Sequence, residues 1–352
     1  MSGSLCRQRA GMQRAAIHNH RAVLAPVCRH RQRPALRTCA TAEPLVATTT
    51  AAPAPPTTVT EAVRQARTAL RQWREAAAAE AKSEAARRSG GQASTSSSSP
   101  SSPSSPSMSS GSAPPGGGST GPRRLIVDLP LPAQRSGFLG RGASNPDLLM
   151  LLDEADFPGG EVQRFRVLRP LVEAWLEGYN PEFLGFLEDG ADGVGLWSAG
   201  PDTSVIANVT SATVPSLLKL LDGGYGARAS QPGHTVIAVN PTWTSASSVG
   251  QPWQFELRRR AAEVLDPAGW ETLYSARMLR SSRGANGLLL RAWPHRWALY
   301  PAATPDARCL GECVLATPER PPNKLLIERL AEAKPGMDKK AKELGLDEPR
   351  WF

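Results

Sequence analysis

The amino-acid sequence predicts an α/β fold: a three-layer, mostly parallel sheet with helices on both faces and antiparallel C-terminal strands. Strand-like and helix-like segments alternate from residue 123 to residue 266, which is typical of a parallel sheet covered by helices. Four strand-like segments then follow one another with short turns, which indicates antiparallel pairing. About 200 residues are enough for one core of this kind.

The first 42 residues predict an organelle transit peptide. They hold eight arginines and no acidic residue, and small residues around Ala40–Ala42 suit a cleavage site. The composition leaves a plastid, a mitochondrion and an attached basic tail open as alternatives. We expect residues 43–59 to be disordered.

Residues 60–88 predict a long helix that is followed by a linker. Thr60 is a suitable cap, alanine dominates the segment, and Gly90–Gly91 follows it. One narrow apolar stripe runs along this helix, and its alanine content favours packing on the domain over a coiled-coil partner. Residues 89–122 are rich in Ser, Pro and Gly and predict a disordered linker.

The segments from residue 123 onward predict one α/β domain over 123–334 and a charged tail over 335–352. Apolar runs and periodicity assign each segment its type. The predicted strands are 123–132, 192–200, 234–241, 270–279, 286–294, 296–301 and 309–316, and the predicted helices are 147–155, 159–178, 214–224, 251–266 and 321–334.

Charge and cysteine usage exclude several classes of protein. The net charge is +9, but residues 123–352 carry 26 basic and 27 acidic side chains, so the folded part gives no support to nucleic-acid binding. No apolar run reaches the roughly 18 residues that a transmembrane helix needs. Removal of a transit peptide would leave only Cys309 and Cys313, which is no disulfide framework.

A glycine pair before an arginine-bearing helix is the first candidate site. The segment FPGGEVQRFRVLRP places backbone N–H groups of a helix start beside guanidinium groups, and both favour a bound anion. A true phosphate loop would need a lysine that this segment lacks, so a helix that only packs on the sheet remains the alternative. The candidate anion-binding residues are Gly159, Gly160, Gln163, Arg164 and Arg166.

Two polar residues that follow predicted strands form the second candidate, a strand-end pocket. Asn240 ends the apolar strand VIAV, and Asp202 follows the strand GLWSA. Ligands of open α/β sheets bind beyond the carboxyl ends of strands, although Asn and Asp are also common turn formers. The glycines of 137–147 have the wrong order for a dinucleotide-binding loop.

We expect no cofactor, no metal site and no catalytic residues. His234, His295, Cys309 and Cys313 do not have a usual zinc spacing. The sequence also contains no signature of a serine hydrolase or a metalloprotease. This pattern favours a protein without enzymatic activity, although it does not decide the question.

An ordered set of motifs resembles a known family. HTVIAVNPTW, FELRRRAAEVL, WETLYSARML and GLLLRAWPHRWALY follow one another, and a P-x-x-W turn lies at Pro294–Trp297. With FPGGEVQRFRVLRPLVEAWL, they are similar to a plastid and cyanobacterial family that is defined by a domain of unknown function. That family includes the LOW PSII ACCUMULATION proteins and the C-terminal extension of a plastid adenylate kinase. One departure is LWSAGPD, where many members have F-P-D-A-G.

The resemblance covers residues 60–88 and 123–320 and implies a location and a role. It implies a chloroplast stromal protein that supports photosystem II assembly through protein contacts, with photosystem II subunits or assembly factors as partners. It supplies no catalytic residues. We expect no nucleic-acid partner, while peripheral contact with the thylakoid stays open. The alternative is a regulatory α/β domain that binds a nucleotide or another phosphorylated small molecule at the glycine pair.

Overall fold

The structure, a computed structural model, describes residues 51–90, 122–131, 149–151, 160–188, 190, 192–243, 245–281, 283–305 and 309–346. The predicted transit peptide 1–42 lies outside the described residues, as do nearly all of the linker 89–122, the glycine-rich segment 137–147, Gly159 and the end of the C-terminal tail.

Five helices and ten strands make up the described part of the chain. The helices are α1 Val59–Gly90, α2 Gly160–Trp175, α3 Val214–Leu221, α4 Phe255–Val264 and α5 Asn323–Glu343. The strands are β1 Arg123–Asp128, β2 Leu149–Leu151, β3 Pro181–Phe186, β4 Gly195–Ala199, β5 Thr203–Ala207, β6 Thr235–Val239, β7 Glu271–Ser281, β8 Asn286–Ala292, β9 Trp297–Ala302 and β10 Leu315–Thr317.

The strands form one mixed sheet in the order β10-β9-β8-β7-β1-β6-β5-β4-β3, and β2 pairs with β7 beside this row. The central strands β7, β1, β6 and β5 are parallel. Antiparallel strands flank them on both sides. The α/β prediction is confirmed. Beyond β5, strands β3 and β4 form an antiparallel hairpin. The sequence predicted the strand at β4 but not the one at β3.

Helices cover both faces of the sheet, because alternate residues of a strand point to opposite sides. Ile237 and Val239 of β6 belong to the core that contains the apolar stripes of α1 and α2. Their neighbours Val236 and Ala238 belong to a second core with α3 and α4. All five residues of β6 are buried, which explains its continuous apolar run. Helix α5 packs on β8 and β9, on the face opposite α1.

Helix α1 packs on the sheet, although the segment 91–121 separates it from β1 along the chain. Its buried stripe includes Ala66, Leu70 and Trp73. The small alanine side chains let the helix lie close to β7 and β8. The indole Nε1 of Trp73 donates a hydrogen bond to Glu271 at 2.8 Å, which attaches the helix to the first residue of β7.

Some element boundaries differ from the sequence prediction. The segment 147–155 was expected to be helical, but Leu149–Leu151 is a strand that pairs with the end of β7. Strand β7 extends beyond the end of β1, so the backbone N–H and C=O groups near its carboxyl end are free to pair with β2. Strands β3 and β5 were not predicted, and in place of the predicted strand 309–316 the structure has the short strand Leu315–Thr317.

The two ends of the described chain are more ordered than expected. Residues 51–58 precede α1, with Pro53 buried and Ala52 packed on the first core. Helix α5 does not stop at residue 334 but continues to Glu343. Its second half buries Met337 and Ala341 in a small core with Cys309, which supports the helix beyond Pro335.

Tyr300 attaches the segment before α1 to the sheet, and Tyr300→Phe should measure this contact. Its hydroxyl donates a hydrogen bond to the backbone carbonyl of Pro53. We expect Tyr300→Phe to lower the free energy of unfolding by about 1 kcal/mol at pH 8. Burial raises the pKa of Tyr300 to about 12, so its contribution is complete below pH 10 and declines as pH rises towards that value. Urea denaturation should therefore show a smaller difference between wild type and variant at pH 11, and a constant difference would contradict this account.

Candidate functional site

The connections of the central strands create a switch point between β1 and β6. These strands are hydrogen-bonded neighbours. From β1 the chain passes through α2 to β3, β4 and β5 on the far side of β6, whereas from β6 it passes through α4 to β7 on the far side of β1. The two helices lie on opposite faces. In open α/β sheets this arrangement leaves a crevice at the carboxyl ends of the strands, where ligands bind.

Asn240 lies at this switch point and connects β6 to the chain that leaves β1. Its backbone N–H donates to Val127 O at 2.8 Å. Its side-chain Oδ1 accepts from Leu129 N at 2.8 Å, and Nδ2 donates to Leu129 O at 2.7 Å. Its φ of 47° is left-handed, a conformation that Asn tolerates better than most residues. The buried side chain of Asn240 therefore makes the two hydrogen bonds with Leu129 that backbone groups would make if the pairing of β1 and β6 continued.

Asn208 repeats this arrangement at the end of β5. It has a φ of 67°, and its backbone N–H donates to Val239 O at 3.0 Å. Its side-chain Nδ2 donates to Glu161 O at 3.0 Å and to Gly193 O at 3.3 Å. One buried amide thus holds the start of α2 and the segment before β4 against the sheet.

Arg164 of α2 connects the two asparagines. Its Nη1 donates to Asn208 Oδ1, and its Nη2 donates to Asn240 O at 3.2 Å. Its side chain is only 3 % exposed, and a carboxylate oxygen of Glu161 lies 4.0 Å from Nη1. The long side chain of Arg164 thus reaches from α2 over the ends of β5 and β6.

Three of the other predicted anion-binding residues lie in the described part of the chain, and they differ in exposure. Gly159 lies outside the described residues, and Gly160 is the first residue of α2 with a left-handed φ of 77°. Gln163 is half-buried and Arg166 is exposed. The structure therefore separates Arg166, which faces solvent, from Arg164, which donates to the strand ends.

Asp202 lies at the opposite edge of the sheet from Asn240. It precedes β5, and its backbone carbonyl accepts from Thr235 N at the start of β6 at 2.8 Å. Both residues were expected at equivalent strand ends. The structure corrects this, because β4 is antiparallel to β5 and its carboxyl end meets the amino ends of the central strands.

A buried ion pair extends the polar group at the carboxyl edge. Arg277 of β7 donates to Asp128 Oδ1 of β1 at 2.5 Å and to Pro241 O at 3.4 Å. The side chains of Arg277 and Asp128 are 14 % and 6 % exposed. We name Asp128, Arg164, Asn208, Asn240 and Arg277 the strand-end cluster. These hydrogen bonds and the ion pair join cluster members to one another and to nearby backbone, so the cluster connects the ends of β1, β5 and β6 with β7.

Three members of the strand-end cluster were missed by the sequence analysis. A signal for Asn208 exists, because VIAN at the end of β5 resembles VIAVN at the end of β6. Asp128 and Arg277 carry no such local signal. They lie far apart in the sequence and meet only because β7 pairs with β1.

The histidines and cysteines of the predicted domain do not form a common site. His234 Nε2 lies 3.0 Å from Ser204 Oγ, while the backbone carbonyl of His295 accepts from Arg291. Cys309 is buried, Cys313 is exposed, and both are free thiols. Among the described residues, no group of three or more His, Cys, Asp or Glu side chains is placed to bind a metal.

The described helices include none with the length and apolar character that crossing a membrane requires. The most extended of them, α1 and α5, carry charged residues throughout.

A family model, described as a domain of unknown function (DUF1995), matches residues 56–326. The chain belongs to this family. The match begins just before α1 and ends in α5, so the helix that the linker separates from β1 is part of the family's domain. No curated protein matches the chain, and no solved structure does.

Proposed function

We propose that this protein is a non-enzymatic chloroplast stromal protein that supports the assembly of photosystem II by binding other proteins. The observation that carries the proposal is a pair of exposed aromatic side chains. Trp253 is 70 % exposed and Phe255 is 74 % exposed, and they lie two residues apart at the start of α4. Large aromatic side chains contribute most of the energy at many protein interfaces.

The position of the pair favours contact with a partner. Trp253 and Phe255 belong to the connection that leaves the carboxyl end of β6 and enters α4. Burial of one such side chain in a partner's apolar pocket is worth about 1.5–3 kcal/mol. Single exposed apolar residues are common on surfaces, but two neighbouring aromatic residues form a compact anchor.

The strand-end cluster supports the non-enzymatic part of the proposal. The switch point is where this class of sheet usually binds a substrate, and here Arg164, Asn208 and Asn240 fill it with hydrogen bonds to one another. The guanidinium of Arg164 is directed towards the strand ends, and that of Arg277 is paired with Asp128.

The chloroplast and photosystem II assignments depend on sequence features. Eight arginines and no acidic residue in the first 42 residues are typical of an organelle-targeting segment. The ordered motifs also resemble those of the LOW PSII ACCUMULATION proteins. Photosystem II subunits or assembly factors are therefore the partners that we propose for the aromatic pair.

Complementation of a knockout in the source organism tests this function. We expect loss of the protein to lower photosystem II content, and we expect the wild-type chain and Leu344→Ala to restore it. Leu344 is an exposed apolar residue distant in sequence from α4, so it is a matched control. We expect Trp253→Ala/Phe255→Ala to accumulate normally yet fail to restore photosystem II, because the partner loses its anchors. Normal photosystem II content and assembly intermediates in the knockout would reject the proposal.

A further inference from the structure

We propose that α1 carries a binding groove for an acidic peptide segment of a partner protein. Arg64, Arg67 and Arg71 of α1, with Thr68, line this groove on one side, and Glu177, Gly178 and Tyr179 after α2 line it on the other. We name these residues the basic groove. Its volume of about 460 Å³ is within the range of pockets that bind ligands.

The three arginines share one face of α1 because they are three and four residues apart. The opposite face of the helix packs on the sheet through Ala66, Leu70 and the other residues of its buried stripe. Like charges at these spacings repel one another by about 0.2–0.5 kcal/mol per pair. The fold therefore concentrates positive charge on a surface where packing does not require it.

The arginines differ in how far they are neutralised. Arg67 donates to Glu177 Oε2 at 2.7 Å and to the carbonyl of Ala174, so its charge is paired within the groove. Arg64 is 76 % exposed and has one ion-pair contact, with Glu61 at 3.6 Å. Arg71 is exposed, and its side chain has no hydrogen bond or ion pair with any residue that the structure describes. Two guanidinium groups thus remain accessible on either side of a neutralised one.

The wall of the basic groove opposite α1 is held in place. The guanidinium of Arg74 lies 4.5 Å from the centre of the Tyr179 ring. The same side chain donates to Thr203 Oγ1 at 2.6 Å, so it connects Tyr179 to the start of β5. A wall fixed in this way reduces the conformational entropy that a ligand would have to remove on binding.

The spacing of the accessible arginines determines the class of ligand. Arg64 and Arg71 lie seven residues apart, which is about 10 Å along a helix at 1.5 Å per residue. A peptide in the polyproline II conformation advances about 3.1 Å per residue with three residues per turn, so carboxylates three residues apart lie on the same side of it and span about the same distance. Each carboxylate matches the planar fork of one arginine. A compact phosphate between them would lie against the carboxylate of Glu177, which favours the peptide.

This inference rests on the proposed function, because it names the chemistry of a partner protein. The basic groove is formed by α1 and the end of α2, whereas the aromatic pair lies at the start of α4. A partner with an acidic segment would therefore make a second, electrostatic contact that depends on salt.

Fluorescence anisotropy with the purified full chain tests the basic groove. The probe is a labelled peptide of Glu-Ser-Gly repeats, which places a carboxylate at every third residue, and the control peptide has Gln in place of Glu. We expect binding of the Glu peptide alone, weakened about tenfold by each of Arg64→Gln and Arg71→Gln. The control variant Lys82→Gln/Arg329→Gln removes the same charge outside the groove and should change the affinity by less than about twofold.

Three outcomes would overturn the basic groove as a peptide site. They are equal binding of the Gln peptide, unchanged affinity in the Arg64→Gln/Arg71→Gln variant, and displacement of the peptide by inorganic phosphate at equal concentration. Both arginines are exposed, so thermal unfolding of the variant should match that of the wild type. The assay uses purified protein and no photosystem II, so its result is separate from that of the knockout.

Discussion

Replacement of Arg164 by Met should lower the free energy of unfolding by about 3 kcal/mol. Met keeps an unbranched apolar chain in place of the arginine stem but removes the guanidinium. Asn208 Oδ1 and Asn240 O then lose their donor inside the protein. A buried acceptor without a partner costs about 1–3 kcal/mol, so two such acceptors account for the expected loss.

Arg166→Met is the matched control for this prediction. It makes the same change two residues along α2, on the exposed side of the helix. Surface substitutions of this kind usually change stability by less than about 0.5 kcal/mol. Urea denaturation of the three proteins gives the midpoints and slopes that are needed. Equal midpoints for Arg164→Met and Arg166→Met would show that Arg164 does not support the strand ends.

The same variants distinguish the strand-end cluster from a phosphate site. If Arg164 serves the strand ends, nucleotides and phosphorylated metabolites should leave the thermal midpoint of the wild type unchanged. A ligand present at 100 times its dissociation constant would stabilise the protein by about 2.7 kcal/mol, which a thermal-shift measurement detects. A stabilisation that Arg164→Met abolishes and Arg166→Met retains would instead favour the regulatory, phosphate-binding alternative.

The sequence was sufficient for three of the four central strands, β1, β6 and β7, and it named two members of the strand-end cluster, Arg164 and Asn240. Strand β6 is buried on both faces, so its apolar run is continuous, and Asn240 follows it directly. Helical periodicity did not predict the contacts of Arg164, because it describes only where a side chain begins on its helix. An arginine side chain is long enough to leave that position and reach a neighbouring element.

The elements that the sequence analysis missed are short and depend on partners distant in the sequence. Leu149–Leu151 lies in an apolar run that fits a helix or a strand equally well, and only the free edge of β7 decides between them. Strand β5 has five residues and directly follows the turn after β4, so it was not recognised as a separate strand. Because β5 was not predicted, Asn208 was not recognised as a residue at the end of a strand.

The ion pair between Asp128 and Arg277 gives the other large effect that we expect. Arg277→Met should lower the free energy of unfolding by about 3–5 kcal/mol, because it leaves the carboxylate of Asp128 buried without its partner. Arg280→Met is the control. It lies on the same strand, and its side chain has no hydrogen bond or ion pair with any residue that the structure describes. It should change stability by much less.

A double-mutant cycle with Asp128→Leu separates the attraction between the two charges from the cost of burying them. Each single variant leaves one charge uncompensated near the ends of β1 and β7, whereas the double variant leaves neither. Removal of both partners of a buried ion pair is often nearly neutral. The double variant should therefore lose less free energy of unfolding than the sum of the two single losses. Urea denaturation of the four proteins at one pH measures this coupling. Additive losses would mean that the two charges act independently, and β1 and β7 would then be held at this edge by backbone pairing alone.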